Sequence, residues 1–268
     1  MGKISRMVLG AAMTAALSVT LAAQQAPVGF HTITCVKANA GKGAALGAWV
    51  ADVGPKWDKA LVESGRARGT IVLRAEMPQG KDAACDYAFV TFYSGLPPAP
   101  MTPAETTELL KKSGIQMTLA ELGQKESDLA TLVYTNITQY QTLVGGAKEG
   151  DYLVFNSIDP ADANACVAYE QKEWKPLAEE MVKAGGQEGW ALNEQVFPRG
   201  DKDGPAVSTV DIYPSWDAFL HHGQSISDAW KKVNGDAKID DAMGQFEKLC
   251  PIEHTQLYKV TEANMPQN

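Results

Sequence analysis

The sequence lacks the short motifs that identify the commonest enzyme classes. It has no G-x-S-x-G, no H-E-x-x-H and no P-loop, so hydrolase and NTPase functions have no support from motifs. It has no Cys-x-x-Cys pair, which argues against a thioredoxin-like or zinc-ribbon protein. Positive charge is also scarce, with 24 Lys and Arg against 32 Asp and Glu. A chain this acidic is a poor partner for nucleic acid.

The N-terminus has the layout of a secretory signal peptide. Lys3 and Arg6 precede an uncharged apolar run from Met7 to Leu21, and Ala22 and Ala23 follow it. The run is too short for a comfortable membrane span, and small residues before a cleavage point are typical of exported proteins. We therefore expect residues 1–23 to be a signal peptide and the mature protein to be periplasmic or secreted, without a membrane anchor.

The remainder of the chain contains an internal repeat. Met77-Pro78-Gln79-Gly80 aligns with Phe197-Pro198-Arg199-Gly200, and the same offset of 120 pairs Val90 with Val210 and Tyr93 with Tyr213. Self-similarity at a fixed offset indicates that one supersecondary unit occurs twice. We expect a first repeat over residues 24–148 and a second over 149–268.

Hydrophobic periodicity predicts the same element order in both halves. In the first, strand, helix, strand, strand, broken helix and strand are predicted at 31–38, 42–64, 69–76, 86–93, 103–132 and 137–144. In the second, the same elements are predicted at 151–158, 161–184, 189–197, 206–213, 215–248 and 254–261. We expect Gly54-Pro55 to kink the first long helix. Each half therefore has the order βαββαβ of a ferredoxin-like unit.

Two such units can close a barrel by facing their sheets, with the helices outside. The fold class predicted is α+β, with tandem ferredoxin-like repeats forming an intramolecular barrel. Here the chain resembles the dimeric α+β barrel superfamily with both halves fused, and it is closest to the NIPSNAP-like and EthD-like branches. The residues that carry the likeness are Trp174-Lys175-Pro176-Leu177, Gly189-Trp190 and Phe197-Pro198-Arg199-Gly200. A fused pair needs no second chain, so we expect a monomer with internal pseudo-two-fold symmetry.

Four cysteines in an exported chain suggest disulfides. In a βαββαβ unit the first and third strands are antiparallel neighbours, which places Cys35 opposite Cys85. Cys166 begins the first helix of the second half and Cys250 ends the second helix, at the same edge of the sheet. We therefore predict Cys35–Cys85 and Cys166–Cys250, the alternative being four buried free thiols.

Four of the six tryptophans lie in the second half. The resemblance implies a ligand cleft between helices and sheet, which we expect to be lined by Trp174, Trp190, Lys172, Tyr169 and Tyr213. Such a cleft suits a small apolar or aromatic molecule. The alternative is that these aromatic side chains only form core.

Histidine is the other candidate for chemistry. His222 is expected on the inward stripe of a helix over 215–233, between Phe219 and Ile226, where it could act as a catalytic proton shuttle or an axial haem ligand. A hydrogen-bonded core histidine is the alternative. His31 and His254 begin strands, and we expect both to be solvated.

The function predicted is binding of a small apolar or aromatic molecule, with possible cofactor-independent catalysis. No cofactor and no metal site are predicted. The alternatives are a haem-binding or haem-dependent protein, as some members of the superfamily are, and a non-catalytic interaction module whose barrel is fully packed.

Overall fold

A computed structural model describes residues 29–198 and 206–265. The predicted signal peptide lies outside the described residues. Within the described ranges, no helix has both the length and the apolar character needed to cross a membrane.

The first half contains four strands and three α-helices. They are β1 (Phe30–Ala38), α1 (Gly43–Glu63), β2 (Gly69–Met77), β3 (Tyr87–Tyr93), α2 (Pro103–Ser113), α3 (Leu119–Leu129) and β4 (Ala130–Gly145). Pro55 lies inside α1 without ending it, and the kink expected at Gly54-Pro55 stays a prediction. The predicted break in the second helical region is present, because Thr102 and Thr118 each begin a separate helix with a capping box.

The second half repeats this order, with its helical regions divided into more segments. Its elements are β5 (Tyr152–Ile158), α4 (Ala163–Tyr169), α5 (Lys175–Ala184), β6 (Gly189–Phe197), β7 (Val207–Tyr213), α6 (Trp216–Leu220), α7 (His222–Asn234), α8 (Ile239–Leu249) and β8 (Ile252–Asn264). A π-helical turn, Glu170–Trp174, joins α4 to α5. The prolines of the repeated motif, Pro78 and Pro198, both follow cis peptide bonds.

The eight strands close into one barrel in the order β1-β3-β2-β8-β5-β7-β6-β4. Each half contributes four adjacent strands, and two antiparallel seams join the halves, β2 with β8 and β4 with β6. The second seam brings backbones very close, because a Cβ at Gly145 would lie 2.1 Å from the Glu188 carbonyl oxygen. The predicted α+β barrel is confirmed.

Apolar side chains fill both faces of this sheet. An inner cluster includes Ile33, Leu73, Val90, Leu153 and Ile212. Outer clusters pack helices on the barrel; their members include Leu46, Val50 and Val72 in the first half and Ala178, Trp190 and Leu192 in the second. Because strand residues alternate between faces, each strand contributes to an inner and an outer layer.

Two disulfides connect the elements that the topology brings together. Cys35 bonds Cys85 across β1 and the residues before β3, with 5.3 Å between the Cα atoms. Cys166 in α4 bonds Cys250 after α8, with 5.2 Å between the Cα atoms. These are the two pairs that the sequence predicts.

Candidate functional site

The barrel interior contains a cavity of about 430 Å³. Its walls are apolar side chains from all eight strands, among them Ile33, Ile71, Val90, Phe155, Ala191, Val210 and Tyr258. Small residues enlarge the space, because Ala88 and Ala191 stand at inner positions where other strands carry larger side chains. A volume of this size is typical of sites for small organic molecules.

One end of the cavity is open and the other is closed. Gly29, Arg68, Tyr93, Gly146 and Met265 lie at the open end, which we call the mouth, where β1, β2, β5 and β6 begin. The Cys35–Cys85 disulfide lies towards the closed end. There the Gln256 side chain accepts a hydrogen bond from the Ala84 amide (2.8 Å) and donates one to the Cys85 carbonyl (3.0 Å).

His31 is the principal polar side chain near the mouth. It is 3% exposed, so the prediction of a solvated strand end is wrong. Its ring lies 4.5 Å from that of Tyr140 and 5.8 Å from that of Phe92, centroid to centroid. Burial lowers the pKa of His31 to about 3, because a charged imidazole would lose its hydration. The imidazole is therefore neutral at physiological pH, and its Nδ1 has no hydrogen-bond partner in the described chain.

Phenols and one amide are further polar groups of the cavity wall. Burial raises the pKa of Tyr140 and of Tyr258 above the usual value, so both hydroxyls stay protonated. Asn193 is 2% exposed, and its Oδ1 has no partner among the described residues. The cavity thus combines apolar walls with neutral hydrogen-bonding groups.

A second, much smaller cavity of about 30 Å³ is also within the barrel. Thr138, Ser157 and Ser208 help to line it, and Asn136 Nδ2 donates to Gln195 Oε1 there at 2.7 Å. Its volume is less than a tenth of that of the first cavity. The larger cavity is therefore the candidate site.

The aromatic residues predicted to line a cleft lie on the opposite face of the sheet. Trp190 and Tyr169 belong to the packed outer core, and Tyr169 Oη donates to the Ala242 carbonyl at 2.7 Å. Trp174 packs edge-on against Phe246 in the same layer. None of these three lines the 430 Å³ cavity. Their role in binding stays a prediction.

The remaining predicted residues are divided between core and surface. Lys172 is exposed and pairs with Glu173 at 2.5 Å, whereas Tyr213 is buried. The helix predicted over 215–233 breaks between Leu220 and His222, so His222 is exposed and its predicted inward position is wrong. Its Nδ1 lies 2.6 Å from the Phe219 carbonyl oxygen.

A buried carboxyl pair lies in the outer layer of the second half. Glu170 begins the π-helical turn and is 2% exposed. Burial, with the nearby Asp211 carboxyl, raises its pKa to about 8. Burial likewise raises the pKa of Asp211 to about 6, although Gln187 Nε2 and Asn156 Nδ2 donate to it at 3.0 and 3.2 Å. Sequence reasoning missed this pair, as it missed His31 and Tyr140, because the position of one polar residue in a predicted helix or strand does not by itself indicate burial.

Comparison with known proteins supports the fold alone. The sequence matches no family model and no curated protein. A candidate monooxygenase from Fusobacterium nucleatum subsp. nucleatum ATCC 25586 has a similar structure, with a TM-score of 0.57 at 10% identity over 90% of this chain and 96% of that one. An anthrone oxidase-like protein has a TM-score of 0.51 at 11% identity over 91% and 95%.

The arrangement defines a class: the chain is a dimeric α+β barrel protein in fold, with both ferredoxin-like units in one polypeptide. At these identities the likeness extends to architecture and not to chemistry. The finer resemblance to NIPSNAP-like and EthD-like branches stays a prediction.

Proposed function

We propose that the protein binds a small, largely apolar or aromatic molecule inside the barrel. The observation that carries this proposal is the 430 Å³ cavity, open at one end and lined mainly by apolar side chains. Transfer of an apolar molecule from water to such walls is favourable by about 25 cal/mol per Å² of buried surface. A concave apolar site with a few polar groups is the usual form of a small-molecule site.

Neutral polar groups give the cavity a means to orient its ligand. His31 and Asn193 are buried with polar atoms that have no partner among the described residues. A buried polar group without a hydrogen bond costs about 1–3 kcal/mol, so a ligand that supplies the missing partner gains affinity. Because the pKa of His31 is about 3, its imidazole is a weak base, and its role in the site is to form a hydrogen bond with the ligand.

Export forms part of the proposal. The layout of residues 1–23 is that of a signal peptide, and two disulfides suit an oxidising compartment. A barrel closed by one chain supports a monomeric protein.

Haem binding at His222 is the alternative, and the described residues do not fit it well. One exposed imidazole is the only predicted ligand, and it lies outside the barrel cavity. The rings of Phe219 and Tyr213 pack at 5.6 and 6.0 Å from the imidazole, centroid to centroid. We expect no Soret band after haem is added to the purified protein.

Fluorescence titration with N-phenyl-1-naphthylamine, a neutral aromatic probe, tests the proposed site. Ala191→Phe places a large side chain in the cavity from an inner position of β6. Ala51→Phe makes the same change on the exposed face of α1 and is the matched control. We expect one site per chain in the unmodified protein, at least about tenfold weaker binding for Ala191→Phe and no change for Ala51→Phe.

Equal binding by all three proteins would place the probe outside the barrel and contradict the proposal. Absence of binding in the unmodified protein would favour a non-catalytic interaction module. Thermal unfolding of each variant verifies that Ala191→Phe is folded at the temperature of the titration.

A further inference from the structure

The mouth of the cavity carries one charged side chain. Arg68 lies just before β2, and its backbone N–H donates to the Phe92 carbonyl at 2.8 Å. Among the described residues that line the cavity, Arg68 is the only one with a formal charge at neutral pH, since His31 is neutral. No carboxylate belongs to that lining.

Arg68 also has no ion-pair partner in the part of the chain that the structure describes. Its neighbour Arg66 differs, since it pairs with Glu105 at 3.3 Å and donates to the Ala99 carbonyl at 2.8 Å. An unpaired guanidinium beside an apolar opening is available to an incoming anion.

The pseudo-symmetric position in the second half lacks such a free charge. The offset of 120 residues places Glu188 opposite Arg68 at the rim of the barrel. Glu188 forms an ion pair with Lys148 at 2.5 Å. The charge of Glu188 is therefore paired, whereas that of Arg68 is not paired among the described residues.

The interior defines where a ligand's charge can reside. The inner walls offer apolar groups, protonated phenols and a neutral imidazole. Burial of an ionised group without a partner is strongly unfavourable. A charged ligand would keep its head group at the mouth and insert its apolar part.

We propose that the ligand is an amphipathic monoanion, whose aromatic or aliphatic body fills the barrel and whose carboxylate or sulfonate pairs with Arg68 at the mouth. This inference rests on the proposed function, since it names the chemical class bound by the same cavity. It assigns Arg68 as a specificity-determining residue, with the cavity supplying most of the affinity.

Two probes of nearly the same shape test the role of charge. 8-Anilinonaphthalene-1-sulfonate carries the ring system of N-phenyl-1-naphthylamine with one sulfonate added. Both are titrated against the unmodified protein, Arg68→Gln, Arg68→Lys and Arg66→Gln. Arg66→Gln removes the same charge two residues away and is the matched control.

We expect the sulfonate probe to bind about fivefold more tightly than the neutral probe to the unmodified protein. Arg68→Gln should remove that preference while leaving the neutral probe's affinity unchanged, which also shows that the variant is folded. Arg68→Lys should keep part of the preference, and Arg66→Gln all of it. Added salt should weaken only the sulfonate probe.

Two results would overturn the inference, and they differ in what they leave standing. If the neutral probe binds but the sulfonate probe has no preference, or Arg68→Gln leaves the preference intact, the anion site is wrong and the apolar site stands. If neither probe binds the unmodified protein, the proposed function fails as well.

Discussion

The two halves of the barrel have the same strand order but differ in the layer between helices and sheet. In the first half, α1 is continuous over 21 residues and buries Leu46, Val50 and Val53. In the second, the corresponding helix is divided by the π-helical turn, and Glu170 is buried at its start. Single π-turns within helices often accompany functional sites. The first half also has a buried carboxyl in this layer, because Asp58 of α1 is 8% exposed and burial raises its pKa to about 6. The two halves therefore place buried carboxyls at different positions, and that of the second half lies in a π-helical turn.

The residues of the polar cluster around Glu170 can be compared with those at the aligned positions of the first half. Val53 corresponds to Glu170, because the helix tryptophans Trp57 and Trp174 align at an offset of 117 residues. Ala67 and Thr91 correspond to Gln187 and Asp211 at the offset of 120. Identical topology thus supports buried polar side chains at different positions of the outer layer. What the comparison teaches is that the outer layer can diverge between repeats while the barrel stays closed.

On the inner face of the barrel, the two halves differ in a reciprocal way. By strand register, His31 of β1 corresponds to Leu153 of β5, and Asn193 of β6 corresponds to Leu73 of β2. Each half therefore contributes one buried polar side chain to the cavity at a position where its counterpart has leucine. The cavity is a joint product of both halves, unlike the carboxyl pair.

Among these predictions, removal of a disulfide is expected to lower the free energy of unfolding most, and each half contains one. Each is replaced separately by a pair of alanines, Cys35→Ala with Cys85→Ala and Cys166→Ala with Cys250→Ala. The sequence separations are 50 and 84 residues, so chain entropy predicts losses of about 4 and about 4.5 kcal/mol in the free energy of unfolding. Urea denaturation of the oxidised variants measures both. A loss below about 1 kcal/mol for either pair would show that the bond does not stabilise its half.

The substitution Glu170→Gln tests the carboxyl pair, and its expected effect on the free energy of unfolding is the next largest. The pKa of Glu170 is raised to about 8 in the folded protein against an ordinary value of 4.5. The unfolded chain therefore loses its proton first, and stability falls as the pH rises from 4.5 to about 8. The variant should gain on the unmodified protein by about 4 kcal/mol between pH 5 and pH 9.

Chemical denaturation at the two pH values measures this gain. Glu179→Gln is the matched control, because Glu179 is an exposed carboxyl on the following helix. A gain for Glu170→Gln that does not change with pH would contradict the raised pKa.

His31→Leu makes the first half match the second at one inner position. Because the pKa of His31 is lowered to about 3 from 6.5, the unfolded chain gains a proton first as the pH falls. The free energy of unfolding therefore decreases as the pH falls below 6.5, and the decrease is about 2 kcal/mol at pH 5. His31→Leu should not show this decrease. Chemical denaturation of both proteins at pH 7.5 and pH 5 measures the difference. His221→Leu, at an exposed histidine, should show no such difference.

Strand order and disulfide pairing could be predicted from the sequence because both follow from the repeat. Once Met77-Pro78 and Phe197-Pro198 align, the βαββαβ order places Cys35 beside Cys85. Element ends were less predictable: β4 begins at Ala130, although a strand was predicted from residue 137. Local periodicity changes gradually where a helix runs directly into a strand.

The position of the site could not be predicted in the same way. Apolar residues at successive positions, as in Tyr152–Phe155, indicate that both faces of the strand are covered. They do not show which face is completely filled, because that depends on summed side-chain volumes across the barrel. Trp174 and Trp190 were the most conspicuous residues, yet they pack in the outer layer. The smaller Ala88 and Ala191 help to define the cavity.

Intermolecular NOEs between N-phenyl-1-naphthylamine and the methyl groups of the protein test the central claim most directly. The barrel site predicts NOEs to Ile33, Ile71 and Val210, which line the cavity. NOEs instead to Ile158, Leu177 and Leu192, which are buried outside that lining, would place the ligand between helices and sheet. That result would contradict the barrel site and restore the cleft that the aromatic residues of the second half suggest.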